Sequence, residues 1–214
     1  MADETALATT PRRASRFLAG LLVSCFLAAF LAACAGLPTL IGIRPGSVDK
    51  GDRVVTIFNV HTKETVRATY WQDGKFRRTE LDRVDAIFRD WRTGDKINVD
   101  PALVDLLWGL HTELGSKEPI HLISGHRSPR TNDMLLRTRG GQAKKSLHIE
   151  GMAADVFFPD VSVERLRNAA LSRNRGGVGY YPGSSPPFVH LDTGRARSWV
   201  GEDKPFVVEK SIQE

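Results

Sequence analysis

The sequence predicts an α+β domain in which an antiparallel sheet is flanked by helices. Three observations favour this class: a β-hairpin pattern near residue 53, helical spacing of apolar residues in later segments, and short apolar strands between them. Of the 214 residues, 41% are hydrophobic and 26% are charged, as is ordinary for a globular protein. No internal repeat or low-complexity segment interrupts this order. We therefore expect one domain over residues 53–205, followed by a tail over residues 206–214.

The first 33 residues predict export. Three arginines precede an uncharged apolar run over residues 17–33 that ends in small residues, which gives the three parts of a secretory signal. The sequence Leu31-Ala32-Ala33-Cys34 resembles the bacterial lipobox, in which the cysteine is acylated and becomes the new N-terminus. A rival lipobox ends at Cys25, but cleavage there would leave the apolar stretch FLAAFLAA on the mature protein. An uncleaved membrane anchor is the alternative, and Arg12-Arg13 hints at twin-arginine export.

Either form of export places the domain on the periplasmic side of the envelope, held to the membrane by the lipid or by the anchor. Residues 34–52 are rich in proline and glycine, so we expect them to be a tether. Cys25 and Cys34 are the only cysteines, and both precede the domain. The domain therefore contains no disulfide, thiol nucleophile or cysteine zinc site, and any metal must be held by His, Asp or Glu.

The first half of the domain is predicted to contain a hairpin and two helices. Residues 53–71 alternate apolar and polar side chains around a Thr-Lys-Glu turn. Residues 81–91 have apolar side chains at helical intervals. A second helix is expected to begin at Pro101, with Asp100 as its N-cap, and to stop at Gly115.

The second half is predicted to alternate strands with helices. Ser128 and Pro129 repeat the cap-then-proline pattern, so a helix is expected after them. Residues 162–173 form the last predicted helix. The predicted strands are residues 119–124, 153–158 and 188–194.

The charge pattern argues against nucleic-acid binding. The net charge is +5 and the pI is about 9.4, but the basic residues occur singly and in pairs among acidic neighbours. A small, scattered excess of positive charge indicates solubility or attraction to an anionic surface. A nucleic-acid-binding protein would instead have its basic residues clustered on one face.

His148 and Asp155 flank a segment of small residues. Gly151 allows a sharp turn, so His148 can fold back towards Asp155, and Ala153 and Ala154 leave space at the meeting point. Asp155 stands near the start of a strand that enters the core, a poor position for a carboxylate unless something stabilises it. A converging imidazole and carboxylate are two ligand types that zinc binds.

The last predicted strand offers a third ligand. Alternation along it puts His190 and Asp192 on one face, while Val189 and Leu191 can enter the core from the other.

If this strand pairs near Asp155, then His148, Asp155 and His190 form a three-ligand metal site. Three protein ligands with a water in the fourth position is the catalytic pattern, and zinc lowers the pKa of such a water to about 7. The same ligand set also suits non-haem iron, and a buried ionic His–Asp pair without metal is a third interpretation.

His126 and Arg127 lie on the connection between a predicted strand and the helix that Ser128 caps. An arginine held there can polarise a carbonyl or bind a substrate carboxylate. A surface arginine on a loop is the alternative.

Three segments, SGHRSPRTN, SLHIEGMAADV and FVHLDTG, follow one another in the order of known motifs. They resemble the S-G-[aromatic]-R-S, S-x-H-x-x-G-x-A-x-D and x-V-H-x-D elements of zinc-dependent D-alanyl-D-alanine peptidases. That fold is shared with lysostaphin-type enzymes and the hedgehog signalling domain, and the closest resemblance is to exported YcbK-like murein endopeptidases. The resemblance covers about residues 53–200.

The resemblance implies zinc ligands at His148, Asp155 and His190. It also implies that Arg127 stabilises the substrate and the transition state. The implied substrates are the peptide cross-links of peptidoglycan, and a basic surface suits that polyanionic wall.

One position departs from the family's pattern. Many relatives carry a Glu or Asp as general base three residues before the second ligand histidine, and Pro187 stands there in this chain. Asp192 is the nearest replacement because it shares a face with His190, and its alternative role is to orient that histidine. His126 stands where relatives usually carry tyrosine, and it would line the cleft or carry protons. Glu150 is a weaker base candidate.

We therefore expect an exported zinc metallopeptidase that hydrolyses peptide cross-links of peptidoglycan, with the DD or LD character of the bond left open. A non-catalytic, zinc-containing lipoprotein that binds peptidoglycan is the alternative, because the usual base is missing. A structural lipoprotein without metal is the third possibility. The oligomeric state is not predicted.

Overall fold

The structure is a computed structural model that describes residues 51–138, 143 and 145–201. The predicted signal peptide, the lipobox at Cys34, the tether up to residue 50 and the tail over residues 206–214 lie outside the described residues. The domain boundaries drawn from the sequence stay a prediction.

The predicted hairpin forms the first two strands of a sheet. β1 (Arg53–Asn59) pairs antiparallel with β2 (Thr65–Gln72), and β2 pairs with the two-residue β3 (Lys75–Phe76). The later strands are β4 (Ile120–Ser124), β5 (Ala153–Phe157), β6 (Gly177–Tyr181), β7 (Phe188–Asp192) and β8 (Arg197–Val200). The helices are α1 (Arg78–Ile87), α2 (Pro101–Leu114), α3 (Pro129–Thr138) and α4 (Val163–Ser172). This order confirms the predicted α+β class.

The sheet is mixed, and the prediction of an antiparallel sheet was wrong in this respect. Its strand order is β3-β2-β1-β4-β5-β7-β6-β8, with β1 parallel to β4 and β6 parallel to β8. The chain between β2 and β4 contains α1 and α2, and a connection of that length can return a strand beside β1 in the same direction. β8 follows β7 directly but pairs with the far side of β6, so it runs parallel to β6.

The helix predicted over residues 81–91 is present as α1, but it begins and ends earlier in the chain, at Arg78 and Ile87. The carbonyl oxygen of Ile87 accepts a hydrogen bond from Nδ2 of Asn59 at 3.0 Å. The next carbonyl oxygen, on Phe88, accepts one from the backbone N–H of His126 at 2.6 Å. These carbonyls bond to other elements instead of to a further helical turn, so the helix ends there.

The predicted helix caps are present. Oδ1 of Asp100 accepts a hydrogen bond from the N–H of Ala102 at 2.9 Å at the start of α2. The hydroxyl oxygen of Ser128 accepts one from Thr131 at 3.2 Å at the start of α3. These bonds satisfy backbone donors that the first helical turn leaves without a partner.

One hydrophobic core joins the sheet to α1, α2 and α4. Its buried members include Val84 of α1, Leu107 of α2 and Leu166 of α4, each with 0% exposure. The sheet contributes every second residue of its central strands, among them Val156 of β5 and Leu191 of β7. The residues between them on those strands therefore point to the opposite face, which carries the candidate site.

Within the described ranges, no helix is both long enough and apolar enough to cross a membrane.

Candidate metal centre

A row of directly paired residues crosses the C-terminal half of the sheet. Asp155 of β5 pairs with Ser124 on one side and with His190 of β7 on the other. His190 pairs in turn with Gly179 of β6, and Gly179 with Trp199 of β8. The predicted pairing of the last strand near Asp155 is therefore confirmed. Strand alternation places Asp155, His190, Gly179 and Trp199 on the face opposite the core, and Ser124 joins the row through a register shift in β4.

His148 reaches this row from a turn that precedes β5. The turn doubles back at Gly151, whose φ is +70°, and a Cβ there would lie 2.9 Å from the carbonyl oxygen of Asn98. Gly151 is therefore needed both for its left-handed backbone and for this close approach. The Nδ1 atom of His148 lies 2.7 Å from the carbonyl oxygen of Gly125, to which it donates. This bond directs Nε2 of His148 towards the row.

Three ligand atoms then converge. His190 Nδ1 lies 2.9 Å from Asp155 Oδ1 and 3.2 Å from His148 Nε2, and His148 Nε2 lies 3.4 Å from Asp155 Oδ1. A tetrahedral site with bonds of about 2.0–2.2 Å holds its ligand atoms about 3.3–3.6 Å apart. The triangle is thus close to the size that one zinc ion requires.

The hydrogen bonds of the two rings support a cation between them. His148 donates from Nδ1 to a carbonyl oxygen, and His190 donates from Nε2 to Oδ2 of Asp192 at 3.0 Å. Each neutral imidazole has one N–H, so the two nitrogens that face each other across 3.2 Å both present lone pairs. Two lone pairs at this distance repel each other unless a proton or a metal lies between them.

Burial and charge shape the ionisation of the cluster. Burial lowers the pKa of His148, and Asp155 opposes that effect only in part. Burial alone would also lower the pKa of His190, but the neighbouring carboxylates of Asp155 and Asp192 raise it overall. Burial opposes ionisation of Asp155, yet the two histidines hold its pKa well below the usual range. The cluster therefore contains an anionic carboxylate between two imidazoles.

Asp192 lies at the outer edge of the His190 ring, away from the three converging atoms. Its side chain is fully buried and its Oδ2 accepts a hydrogen bond from Arg197 at 2.6 Å. Its Oδ1 accepts from the backbone N–H groups of Gly177 and Gly194, at 2.8 and 2.9 Å. Burial opposes ionisation of this carboxyl, but these partners together with His190 lower its pKa. Asp192 therefore shares a face with His190, as predicted, and contacts the ring nitrogen opposite the cluster.

The loop before α3 places Arg127 beside the cluster and His126 beside His148. The guanidinium Nη2 of Arg127 lies 3.7 Å from Oδ2 of Asp155, and only 9% of Arg127 is exposed. His126 donates from Nδ1 to the carbonyl oxygen of His148 at 3.1 Å, and the backbone N–H of Arg127 donates to the same oxygen at 3.1 Å. The structure thus brings both residues to the loop that carries the first histidine.

The other candidates lie less centrally. Glu150 is exposed on the turn that holds His148. Pro187, at the position where the resemblance implied a base, is exposed just before β7. The described residues contain one group of histidine, cysteine and carboxylate side chains arranged to hold a metal, and it is the predicted set of His148, Asp155 and His190.

Sequence reasoning missed the residues that surround the cluster from β6 and β8. Arg197 bonds to Asp192, and the indole of Trp199 lies 5.1 Å from the His190 ring, centroid to centroid. Tyr181 bonds to Trp199 through its hydroxyl at 3.0 Å. The alternation in GVGYY and RSWV is a weak strand signal, and a four-residue edge strand gives too short a pattern to interpret alone.

The chain is similar to known peptidoglycan peptidases. The model of the Peptidase_M15_2 family, described as peptidoglycan L,D-endopeptidase MepK, matches residues 47–199. The peptidoglycan L,D-endopeptidase MepK of Escherichia coli strain K12 is 42% identical over 147 residues, which cover 69% of this chain and 80% of that protein. The probable peptidoglycan L,D-endopeptidase MepK of Haemophilus influenzae is 36% identical over 172 residues, which cover 78% and 91%.

Proposed function

Because this chain belongs to the Peptidase_M15_2 family, we propose that it is a zinc-dependent murein endopeptidase that hydrolyses L,D peptide bonds in peptidoglycan cross-links. The observation that carries the proposal is the triangle of His148 Nε2, Asp155 Oδ1 and His190 Nδ1, with sides of 2.9–3.4 Å. The relatives are named as endopeptidases, which favours an enzyme over a lipoprotein that only binds peptidoglycan.

The donor set fits zinc. Two imidazole nitrogens and one carboxylate oxygen are ligands that zinc takes in catalytic sites, where three protein ligands leave a position open. Zinc bound by His148, Asp155 and His190 would act as a Lewis acid that activates water and polarises the attacked carbonyl. The hydrogen bonds from His148 to Gly125 and from His190 to Asp192 hold both rings in the required tautomers.

Arg127 is the proposed group that binds the substrate carbonyl. Its guanidinium stands beside Asp155 and keeps its charge at every relevant pH. A carbonyl oxygen gains negative charge during hydrolysis, and a fixed cation at that place lowers the barrier.

His126 is the proposed proton carrier. Hydrolysis forms a C–O bond from water, breaks the amide C–N bond and requires a proton at the leaving nitrogen. The Nδ1–H of His126 is committed to the carbonyl of His148, so Nε2 is the atom that can accept and return that proton.

Asp192 is proposed to position His190 instead of acting as the general base. It contacts the Nε2 side of that ring, and Arg197 and two backbone N–H groups occupy its oxygens. A carboxylate that accepts from a metal-binding histidine fixes the ring and raises its basicity.

We propose that the enzyme acts in the periplasm and is held there by a lipid on Cys34. The cationic, apolar and small-residue parts of the first 34 residues support export and acylation. A tether over residues 34–52 would let the domain reach the wall from the membrane.

The test uses the full chain purified in detergent, with zinc removed and then restored. We expect the zinc-loaded enzyme to convert muropeptide dimers joined by an L,D bond between two diaminopimelates into monomers, which mass spectrometry identifies. Dimers joined by a D,D bond between D-alanine and diaminopimelate are the matched control and should remain. A zinc-loaded sample that sediments with sacculi but releases no monomers would support the binding lipoprotein and contradict the enzyme.

A further inference from the structure

Trp199 forms one wall of the candidate metal centre. It stands two strands away from His190 in the row of paired residues, with Gly179 between them. A Cβ at Gly179 would lie 2.6 Å from two carbon atoms of the indole. The absence of a side chain on β6 therefore lets the indole lie across that strand and reach the ring of His190, at a centroid distance of 5.1 Å.

The indole in turn holds the hydroxyl of Tyr181. Tyr181 lies two residues after Gly179 on β6, so its side chain points to the same face as the cluster. Its ring stacks on Phe188 with centroids 4.5 Å apart and planes 11° apart. The Nε1–H of Trp199 lies 3.0 Å from the hydroxyl oxygen. The ring and its oxygen are thus fixed from two sides.

The direction of that hydrogen bond leaves a donor on Tyr181. An indole N–H can only donate, so the hydroxyl oxygen of Tyr181 accepts from Trp199 and keeps its own hydrogen for another acceptor. Burial raises the pKa of Tyr181, the bond from Trp199 lowers it, and the charges of Asp155 and Arg127 act on it in opposite directions. The hydroxyl therefore keeps its proton at neutral pH, and its side chain lies on the same face of the sheet as the cluster.

We propose that Tyr181 is a further catalytic residue, whose O–H donates a hydrogen bond to the oxygen of the attacked carbonyl as that oxygen becomes negative. The proton stays on Tyr181, and no bond to the residue forms or breaks. Trp199 is the positioning residue that orients the hydroxyl. This inference rests on the proposed function, and it adds a neutral donor to the cation that Arg127 supplies.

The neighbouring tyrosine provides a matched control. Tyr180 is adjacent in sequence and points to the other face of β6, where its hydroxyl donates to Glu164 of α4 at 2.7 Å. Tyr180→Phe and Tyr181→Phe therefore remove the same atom from the same strand, on opposite sides of the sheet.

The experiment measures kcat, KM, bound zinc and thermal stability for the full chain and its variants on an L,D-linked muropeptide dimer. We expect Tyr181→Phe to lower kcat by about 100-fold, the effect of losing one oxyanion donor, with KM and zinc content little changed. Tyr180→Phe should keep the kcat of the unchanged protein. Trp199→Phe keeps a ring over Gly179 but removes the N–H, so its loss of kcat should be smaller than that of Tyr181→Phe.

A phosphinate analogue of the cross-link adds a readout of transition-state binding. Its affinity should fall for Tyr181→Phe by the same factor as kcat/KM, whereas the affinity for the muropeptide monomer, the product of cleavage, should stay constant. If Tyr181→Phe does not fold, the phosphinate affinity of Trp199→Phe decides the question, because a lower affinity is expected there too.

The outcomes separate this inference from the proposed function. A Tyr181→Phe variant with at least half of the original kcat overturns the role of Tyr181 while leaving the enzyme as proposed. A loss of kcat that follows a loss of zinc also overturns it, because Tyr181 would then support the metal site. An unchanged chain that neither cleaves dimers nor binds the phosphinate overturns the proposed function and this inference with it.

Discussion

The Nε2 atom of His190 lies 3.0 Å from Oδ2 of Asp192, on the edge of the ring opposite the nitrogen that faces Asp155. One imidazole thus connects two carboxylates with different surroundings. Oδ1 of Asp155 lies close to the facing nitrogens of both histidines, His148 and His190. Asp192, in contrast, is fully buried and forms an ion pair with Arg197. This difference agrees with our proposal that Asp155 binds the metal and that Asp192 positions His190.

Replacement of Asp192 distinguishes a supporting carboxylate from a general base. We expect Asp192→Asn to lower zinc affinity by about 10- to 100-fold, because the histidine it orients becomes less basic. Competition with a chromophoric chelator measures that affinity. Activity should return when zinc is added in excess. A kcat that stays low at saturating zinc would instead identify Asp192 as the base.

Replacement of Asp155 tests the metal ligand directly. We expect Asp155→Asn to abolish hydrolysis and to leave almost no zinc after dialysis, because the only anionic ligand of the three is lost. Inductively coupled plasma mass spectrometry measures the bound zinc. Asp133→Asn, on an exposed position of α3, is the matched control and should keep full zinc content. Stoichiometric zinc in Asp155→Asn would contradict the proposed site.

Arg127 can be tested by a change that keeps its charge. Lysine cannot reproduce the planar, multi-donor geometry of a guanidinium, so Arg127→Lys should lower kcat by about 100-fold with zinc content unchanged. Steady-state kinetics on the L,D-linked dimer provide the measurement. Arg130→Lys, three residues further along at the exposed start of α3, should have little effect. Equal rates for both variants would remove Arg127 from the mechanism.

His61 makes folding stability depend on pH. Its ring stacks on Trp91 at a centroid distance of 3.9 Å, and burial together with the charge of Arg92 lowers its pKa from 6.5 to about 4. Between these two pKa values the unfolded chain binds more protons at this residue, so His61 reduces stability as the pH falls from 6.5 towards 4.

His61→Phe keeps an aromatic ring on Trp91 but cannot titrate. Between pH 7 and pH 4, we expect the unfolding free energy of the unchanged protein to fall by about 1–2 kcal/mol more than that of the variant. This figure allows for solvent screening of the partly exposed ring. Urea denaturation at both pH values measures it. Parallel pH dependence in the two proteins would contradict the lowered pKa.

Acylation at Cys34 has a matched control at Cys25. We expect Cys34→Ala to lose incorporation of a clickable fatty acid in growing cells, because alanine provides no thiol to acylate. Cys25→Ala should be labelled like the unchanged protein. If Cys25→Ala loses the label and Cys34→Ala keeps it, the acylated cysteine is Cys25.

The sequence by itself was enough to predict most of the helices and strands and all three candidate metal ligands. Alternation along residues 188–194 correctly put His190 opposite Val189, and Gly151 correctly predicted the turn that brings His148 back. These properties depend on residues close together in the chain, where the period of a strand or the φ of a glycine sets the outcome.

The tertiary structure alone decided which groups surround those ligands. The role of Asp192 depends on which nitrogen of His190 faces the cluster, and that follows from the pairing of β7 with β5 and from the hydrogen bond of Asp192 to the opposite nitrogen. Trp199 reaches His190 because β8 returns to the far side of β6, where a glycine leaves room. The order of strands in a sheet and the orientation of a ring depend on contacts between segments that are distant in sequence. The local periodicity of the sequence therefore cannot predict them.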